Sequence, residues 1–384
     1  MKRKRLLISH PLLGVSGGAS AVAAWAIEAL RDLCDISLAT LETPDFPALN
    51  RTFGTSLRET DVTLLLAPPS YSRLLRLLPT QGALLETCLA MRWAQEADRK
   101  QRFDILLGTL NEIDFGRRGI QYVHHPWVFL PRPKFEMSWY HYIPGVLNGY
   151  RRICATLAHS SNAGLRRNLS LVNSNFIAGR VRQTHGVESI ILYPPVPGGF
   201  LEVAWEKRRR GFVALGRIHE HKRWDMAVAI IDEVRRRGHD VTFTLIGSRH
   251  SAECYARMVE LSATRPWFHM LNDLSREELV AEVVNHRYGI HTMLEEHFGI
   301  APAELQRAGC IVFVHNSGGP PEIVGGDPRL LFDTVQEAAD KIERVLTDTN
   351  CEDDLRQHVA AQRDRFSAER FCTSLREIVA GFQE

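Results

Sequence analysis

The sequence predicts two open α/β domains in one chain, each a parallel sheet flanked by helices. Three observations carry this. At about 150 residues per domain, a chain of 384 residues suits two cores. Short apolar runs alternate with longer amphipathic ones, the pattern of strands joined by crossover helices. The segment LYPPVPGGF (192–200) packs three prolines and two glycines into nine residues, which neither a helix nor a central strand continues through. After it the alternation restarts.

Taken in order, RLLIS (5–9) reads as a buried strand, followed by a Gly-containing loop and a helix over 19–33. VTLLLA (62–67), FDILLG (103–108), IQYVH (120–124) and LSLVNS (169–174) read as further strands, with helices over 82–100 and 138–163. In the second half GFVALG (211–216), VTFTLIG (241–247), YGIHTM (288–293) and CIVFVH (310–315) read as strands. Helices over 223–237, 252–263 and 301–309 separate them, and helices follow to the end. Ligands of such sheets sit at the carboxyl ends of the strands, so two such domains facing each other place a site in the cleft between them.

Composition sets limits. Hydrophobic residues make up 45% and charged residues 24%, the mix of a globular protein, which excludes disorder, collagen and coiled coil as overall classes. The net charge of +2 excludes a histone-like or acidic-tail protein. It hides an asymmetry: residues 1–200 hold 23 Lys and Arg against 15 Asp and Glu, and residues 201–384 hold 24 against 30. A basic half suits an anionic partner, a phosphorylated substrate or a membrane surface, and equally reads as charge drift on a solvated surface. Seven widely spaced cysteines without a CxxC argue for a reducing compartment and against a disulfide framework or zinc ribbon. No run of 18 apolar residues suggests a spanning helix. The start, MKRKRLLISHPLLG, is broken by His10 and Pro11 and reads as a charged leader and first strand rather than a targeting segment.

Three loops of the second half carry chemistry. GFVALG runs into Arg217, and Lys222 follows five residues later. Two cations at a strand end suit phosphate oxygens, or are surface charges. The chain has 7 Lys against 40 Arg, so a Lys here is a rare choice. EEHFGIAPAE (295–304) follows a strand and opens a helix with Pro302 in its first turn, where backbone amides can bind an anion. Gly299 allows close approach of a ligand to the backbone. Glu296 lies before that helix and Glu304 on its first turn. Both can accept from sugar or ribose hydroxyls, while Glu304 is equally a favourable charge at a helix N-terminus. In HNSGGPPEIV (315–324), Gly318 and Gly319 form a loop that passes a bound ligand or is a plain turn.

GR-x4-K, then E-x7-E enclosing FGI, then A-G before a strand and GG-x-x-EIV after it, in this order over about 110 residues, resemble the retaining family 4 glycosyltransferases of the GT-B fold. YVHHP (122–126), the aromatic stretch to Tyr150, VNSNF (172–176) and LYPPV (192–196) are similar to the eukaryotic mannosyltransferases that extend the lipid-linked oligosaccharide from GDP-mannose. The resemblance implies two Rossmann-like parallel-sheet domains facing a cleft. It implies an acceptor-side domain over 1–195, a nucleotide-sugar-binding domain over 196–366 and a helix over 367–384 returning to the first domain. It implies that Arg217 and Lys222 hold the donor diphosphate, with Gly216 beside them. Glu304 takes the ribose hydroxyls. Glu296 takes hydroxyls of the donor sugar, near Phe298, Gly299 and Ile300. His124, with His125 as its rival, reaches the donor sugar from the first domain, and Gly14, Gly17 and Gly18 form a loop near the diphosphate. GVSGG does not fit the dinucleotide fingerprint.

The expected activity is transfer of a sugar from a nucleotide sugar, such as GDP-mannose or a UDP-sugar, to a hydroxyl of a glycan, glycolipid or small molecule. The alternatives are a GT-B-fold epimerase or phosphorylase, or a non-catalytic sugar-nucleotide-binding subunit. A departing diphosphate needs a metal on a D-x-D motif, which this sequence lacks, or cations and a helix N-terminus. No metal and no further cofactor are therefore expected. Retention of configuration is implied by the family alone. No nucleic-acid partner is expected, and the location is cytoplasmic, with peripheral contact at the membrane face through the basic half. The stretch 127–152, seven aromatics among Arg and Lys, reads as an amphipathic acceptor or membrane surface or as core aromatics on a long helix.

Overall fold

The computed structural model describes residues 3–15, 17–76, 83–126, 143 and 145–383. The chain divides into two compact units, Met1–Pro195 with Phe371–Glu384, and Val196–Arg370.

Among the described residues the first unit holds a seven-stranded sheet, in spatial order β3-β2-β1-β4-β5-β6-β7. The strands are β1 (Lys4–Ser9), β2 (Cys34–Thr40), β3 (Thr63–Leu66), β4 (Ile105–Gly108), β5 (Ile120–Val123), β6 (Leu169–Val172) and β7 (Ser189–Ile191). Every pairing is parallel. Helices cover both faces, so Leu6, Leu7 and Ile8 of β1 are all buried, as a parallel sheet requires. One face packs on α1 (Gly18–Leu30) and the other on α4 (Ala83–Gln101).

The second unit holds six described strands, again all parallel, in the order β10-β9-β8-β11-β12-β13. They are β8 (Arg209–Leu215), β9 (Thr242–Gly247), β10 (Phe268–Asn272), β11 (His286–His291), β12 (Ile311–His315) and β13 (Leu331–Phe332). In both sheets the winding reverses beside the first strand, between β1 and β4 and between β8 and β11. This is the switch point where doubly wound sheets bind ligands.

The elements differ from expectation in identifiable ways. β2 was not expected, because Asp35, Ser37 and Thr40 interrupt its apolar run; Ser37 and Thr40 are nevertheless buried. β7, β10 and β13 were also not expected. They have three, five and two residues and are too short or too polar to stand out. Where a single helix was expected over 138–163, the described residues form two, α5 (Val146–Leu157) and α6 (Asn162–Arg166). His159 between them has φ 49°, and Ser161 caps the second through the Gly164 amide at 2.9 Å. Residues 127–142, most of the aromatic stretch, lie outside the described residues. The last helix, α15 (Ala368–Gly381), buries Phe371, Leu375 and Val379 in the core of the first unit, and Arg376 Nε donates to the Ala29 carbonyl at 2.7 Å. No helix among the described residues is long and apolar enough to cross a membrane.

Candidate active site

In the second unit the chain leaves β8 at Gly216, whose amide donates to the Ile246 carbonyl at 3.0 Å. Arg217 follows and is exposed. The next turn, Glu220–Lys222, is a short 3-10 helix held from two sides. Trp224, 1% exposed, opens α8 (Trp224–Arg236) and donates Nε1 to the Arg217 carbonyl at 3.2 Å. Thr292, just beyond β11, is fully buried and donates to the carbonyls of Lys222 at 2.8 Å and Arg223 at 3.0 Å. The backbone of the Lys222 loop is thus tied to the end of β11. Packing fixes Lys222 there, and only its side chain remains to be placed.

That side chain meets Glu296, with Nζ 2.5 Å from Oε2 and both side chains 16% exposed. The Glu296 loop is itself pinned. The Glu295 amide donates to Ser317 Oγ at 3.0 Å and the Gly319 amide to the Glu296 carbonyl at 2.8 Å. Gly318 has φ 76°, and a Cβ at either Gly318 or Gly319 would collide with the backbone of residues 296–298. The two glycines therefore serve close backbone packing behind Glu296, where the sequence suggested a loop beside a ligand or a plain turn. Burial alone would raise the Glu296 carboxyl, but Lys222 and then His291 hold it well below the usual carboxylate range.

His291 ends β11 and is 2% exposed. Its Nε2 lies 3.6 Å from Glu296 Oε2 and has no hydrogen-bond partner among the described residues. Burial keeps the imidazole pKa below its ordinary value. Sequence reasoning passed over it, since a lone His at a strand end carries no signal of its own.

α11 (Ile300–Arg307) begins after Gly299, which has φ 102°. No side chain caps its N-terminus, so the first amides are available to an anion. Phe298 is buried and meets Phe366 edge-on, ring centroids 5.3 Å apart. Glu304 was expected on the first turn. The helix starts at Ile300, so Glu304 lies beyond that turn, which holds no acidic residue, and the helix-terminus charge reading loses its basis. Its carboxylate instead pairs with Arg276 of α10 (Arg276–Val283), Nη1 to Oε1 2.5 Å. The other terminal nitrogen, Nη2, is buried with no partner among the described residues. Arg276 was not foreseen either.

In the first unit, Gly14 and Gly17 are exposed in the loop after β1 and Gly18 opens α1. At the carboxyl end of β5, Asn111 Oδ1 accepts from the amides of both His124 and His125, each at 2.9 Å. His124 Nε2 faces the Thr109 carbonyl at 3.1 Å and so carries the proton there. His10, which sequence reasoning did not single out, joins the same cluster through Thr109 Oγ1 at 2.9 Å. Burial, with His124 nearby, lowers its pKa to about 3. Among the described residues no group of three or more His, Cys, Asp or Glu converges to hold a metal ion.

Residues 202–363 match the family model described as glycosyl transferases group 1. The second unit is thus a group 1 glycosyl transferase domain, and the two parallel sheets give the chain the GT-B fold.

Among curated relatives, proteins named GDP-Man:Man(3)GlcNAc(2)-PP-Dol alpha-1,2-mannosyltransferase recur. The one from Dictyostelium discoideum is 39% identical over 85 residues, 22% of this chain and 17% of that protein. The human protein is 32% identical over 119 residues, 29% and 22% of the two chains, and the mouse protein 26% over 204 residues, 47% and 41%. The chain therefore matches less than half the length of these relatives. Solved structures extend the likeness over the whole fold. Anabaena HepE in complex with UDP-glucose has a TM-score of 0.67 at 15% identity, covering 99% of this chain and all of that one. Sucrose-phosphate synthase from Thermosynechococcus elongatus reaches 0.70 at 13%, covering 99% and 98%. At such identities the likeness is one of fold.

Proposed function

We propose that this protein is a retaining, metal-independent glycosyltransferase that moves mannose from GDP-mannose to a hydroxyl of a glycan carried on a lipid. The observation that carries the reading is the constellation at the switch point of the second sheet. Lys222 follows β8, Glu296 follows β11, and the uncapped start of α11 lies four residues past Glu296. The family match over 202–363 and the names of the relatives support the activity class and the choice of donor.

In this reading Lys222, Arg217 and the first amides of α11 hold the diphosphate and stabilise the charge that grows on it as the glycosidic bond breaks. Gly216 lets the diphosphate lie near β8. Glu304, oriented by Arg276, accepts from the ribose hydroxyls. Glu296 accepts from hydroxyls of the donor sugar, with the backbone of Phe298, Gly299 and Ile300 beside it. The first unit serves the acceptor. His124 contacts the donor sugar, and the loop of Gly14, Gly17 and Gly18 lies near the diphosphate. The enzyme works at the cytoplasmic face of a membrane, its basic first half against anionic lipid.

The test is incubation of the purified protein with GDP-mannose, and separately with UDP-sugars, together with a lipid-linked or soluble glycan acceptor. Release of GDP matched by a hexose added to the acceptor, seen by mass, is the expected result. Free nucleoside diphosphate without any acceptor product, or an isomerised donor sugar, overturns the reading.

A further inference from the structure

Lys222 and Glu296 have different tasks in the proposed reaction, one on the diphosphate and one on the sugar, yet here they neutralise each other at 2.5 Å. When Lys222 turns to a phosphate it leaves a carboxylate that is 16% exposed. A carboxylate so placed is costly to leave unpaired. Among the described residues a donor stands ready for it. His291 Nε2 lies 3.6 Å from the same oxygen, Oε2, just outside hydrogen-bond reach, and has no other partner among the described residues. The ring itself is 2% exposed at the end of β11, so it cannot turn to water. A small rotation of the Glu296 side chain closes the gap.

We propose that His291 is a positioning residue that takes over the Glu296 carboxylate when Lys222 moves to the donor diphosphate, keeping that carboxylate aimed at the sugar. The proposal rests on the glycosyltransferase reading above. With the ring neutral and protonated at Nε2, its N–H points at Oε2 without adding charge. The charged and titratable groups around it are Lys222 and Glu296 and, on the neighbouring strand β12, His315, itself near Arg223 and Asp333. Thr292, next in the chain, ties the Lys222 backbone to the same strand end, so Lys222 can change partner through its side chain alone.

Two measurements test this. Without donor, the His291 titration is followed by NMR of the imidazole. Glu296→Gln should lower its midpoint more in a Lys222→Met background than in wild type, because the carboxylate has then passed to His291. Equal effects in the two backgrounds overturn the handover whatever the enzyme's substrate. With GDP-mannose, His291→Leu should lower kcat at least tenfold with donor KM within threefold, and His291→Gln, which keeps an N–H donor, should recover most of it. On Glu296→Gln, His291→Leu should cost nothing further. Multiplicative losses, or a Gln variant as impaired as Leu while both melt like wild type, refute the role. A wild-type protein that neither binds nor turns over any nucleotide sugar fails the functional reading instead, and the donor-free titration still stands as the test of the contact.

Discussion

Replacing Lys222 separates two effects that the structure joins. Its Nζ is 2.5 Å from Glu296 Oε2, and both side chains are 16% exposed. Removing one partner of a buried pair costs about 3–5 kcal/mol. Some solvent access and His291 at 3.6 Å reduce that, so Lys222→Met should lose about 2–3 kcal/mol of stability in urea unfolding. Adding Glu296→Gln should restore much of this, since no unpaired carboxylate remains. The sign with pH follows from the depressed Glu296 carboxyl. The stabilisation is present above the ordinary carboxylate pKa and is lost as pH falls through the lower folded value, so the cost of Lys222→Met should shrink in acid. Catalysis should respond differently. A charge that strengthens its hold as the diphosphate departs lowers turnover when removed, typically by about 10²–10³, and Glu296→Gln cannot rescue that loss. Lys222→Arg should recover only part, because a planar fork replaces a point charge. The assay is steady-state kinetics with GDP-mannose beside urea melts of the same samples. Turnover within twofold of wild type in Lys222→Met, with unchanged stability, would refute both parts.

Three further outcomes follow from other contacts. Arg276→Ala removes the cation 2.5 Å from Glu304 and should weaken nucleotide binding about tenfold, a charge-assisted hydrogen bond's worth, and it should also lower the melting midpoint, because the Glu304 carboxylate loses its partner; unaltered affinity by calorimetry contradicts it. His10, 2% exposed with its pKa lowered to about 3, stays neutral in the fold but protonates near pH 6.5 when unfolded. Its contribution is complete above about 6.5 and declines as pH falls toward 3, by about 2 kcal/mol at pH 5; His10→Asn should flatten the drop in urea midpoint between pH 7 and 5, and an equal drop in both proteins counts against it. Gly318→Ala forces a side chain at φ 76° into the backbone behind Glu296 and should cost roughly 2 kcal/mol or more together with activity, whereas wild-type stability would show that this loop can move aside.

Much of the fold was legible because parallel sheets bury their strands on both faces and so write near-continuous apolar runs. RLLIS, FDILLG and CIVFVH are such runs, and each is a strand. β2 was not legible, because Asp35, Ser37 and Thr40 break its pattern. β13 has two residues and owes its place to pairing with β12, which no local pattern records. In the site, Lys222, Glu296 and Glu304 stood out through spacing and residue type. Their partners did not. Arg276 is 28 residues from Glu304, and His291 is one of 16 histidines. Asn111 holds two amides beyond β5 from another loop. What sequence spacing cannot carry is which group on a different strand end supplies the second hydrogen bond, and that is decided by the sheet order.

In the proposed reaction the second unit should hold a nucleoside diphosphate through Lys222 and Glu304 without a metal. The direct measurement is calorimetric titration of GDP, and of UDP for comparison, into the full-length protein with excess EDTA, beside Lys222→Ala and Glu304→Ala. One site is expected on wild type, undiminished by EDTA, with affinity falling by about 1–3 kcal/mol, roughly 5- to 150-fold, in each variant. Binding that appears only with magnesium or manganese, or that both variants retain in full, contradicts it.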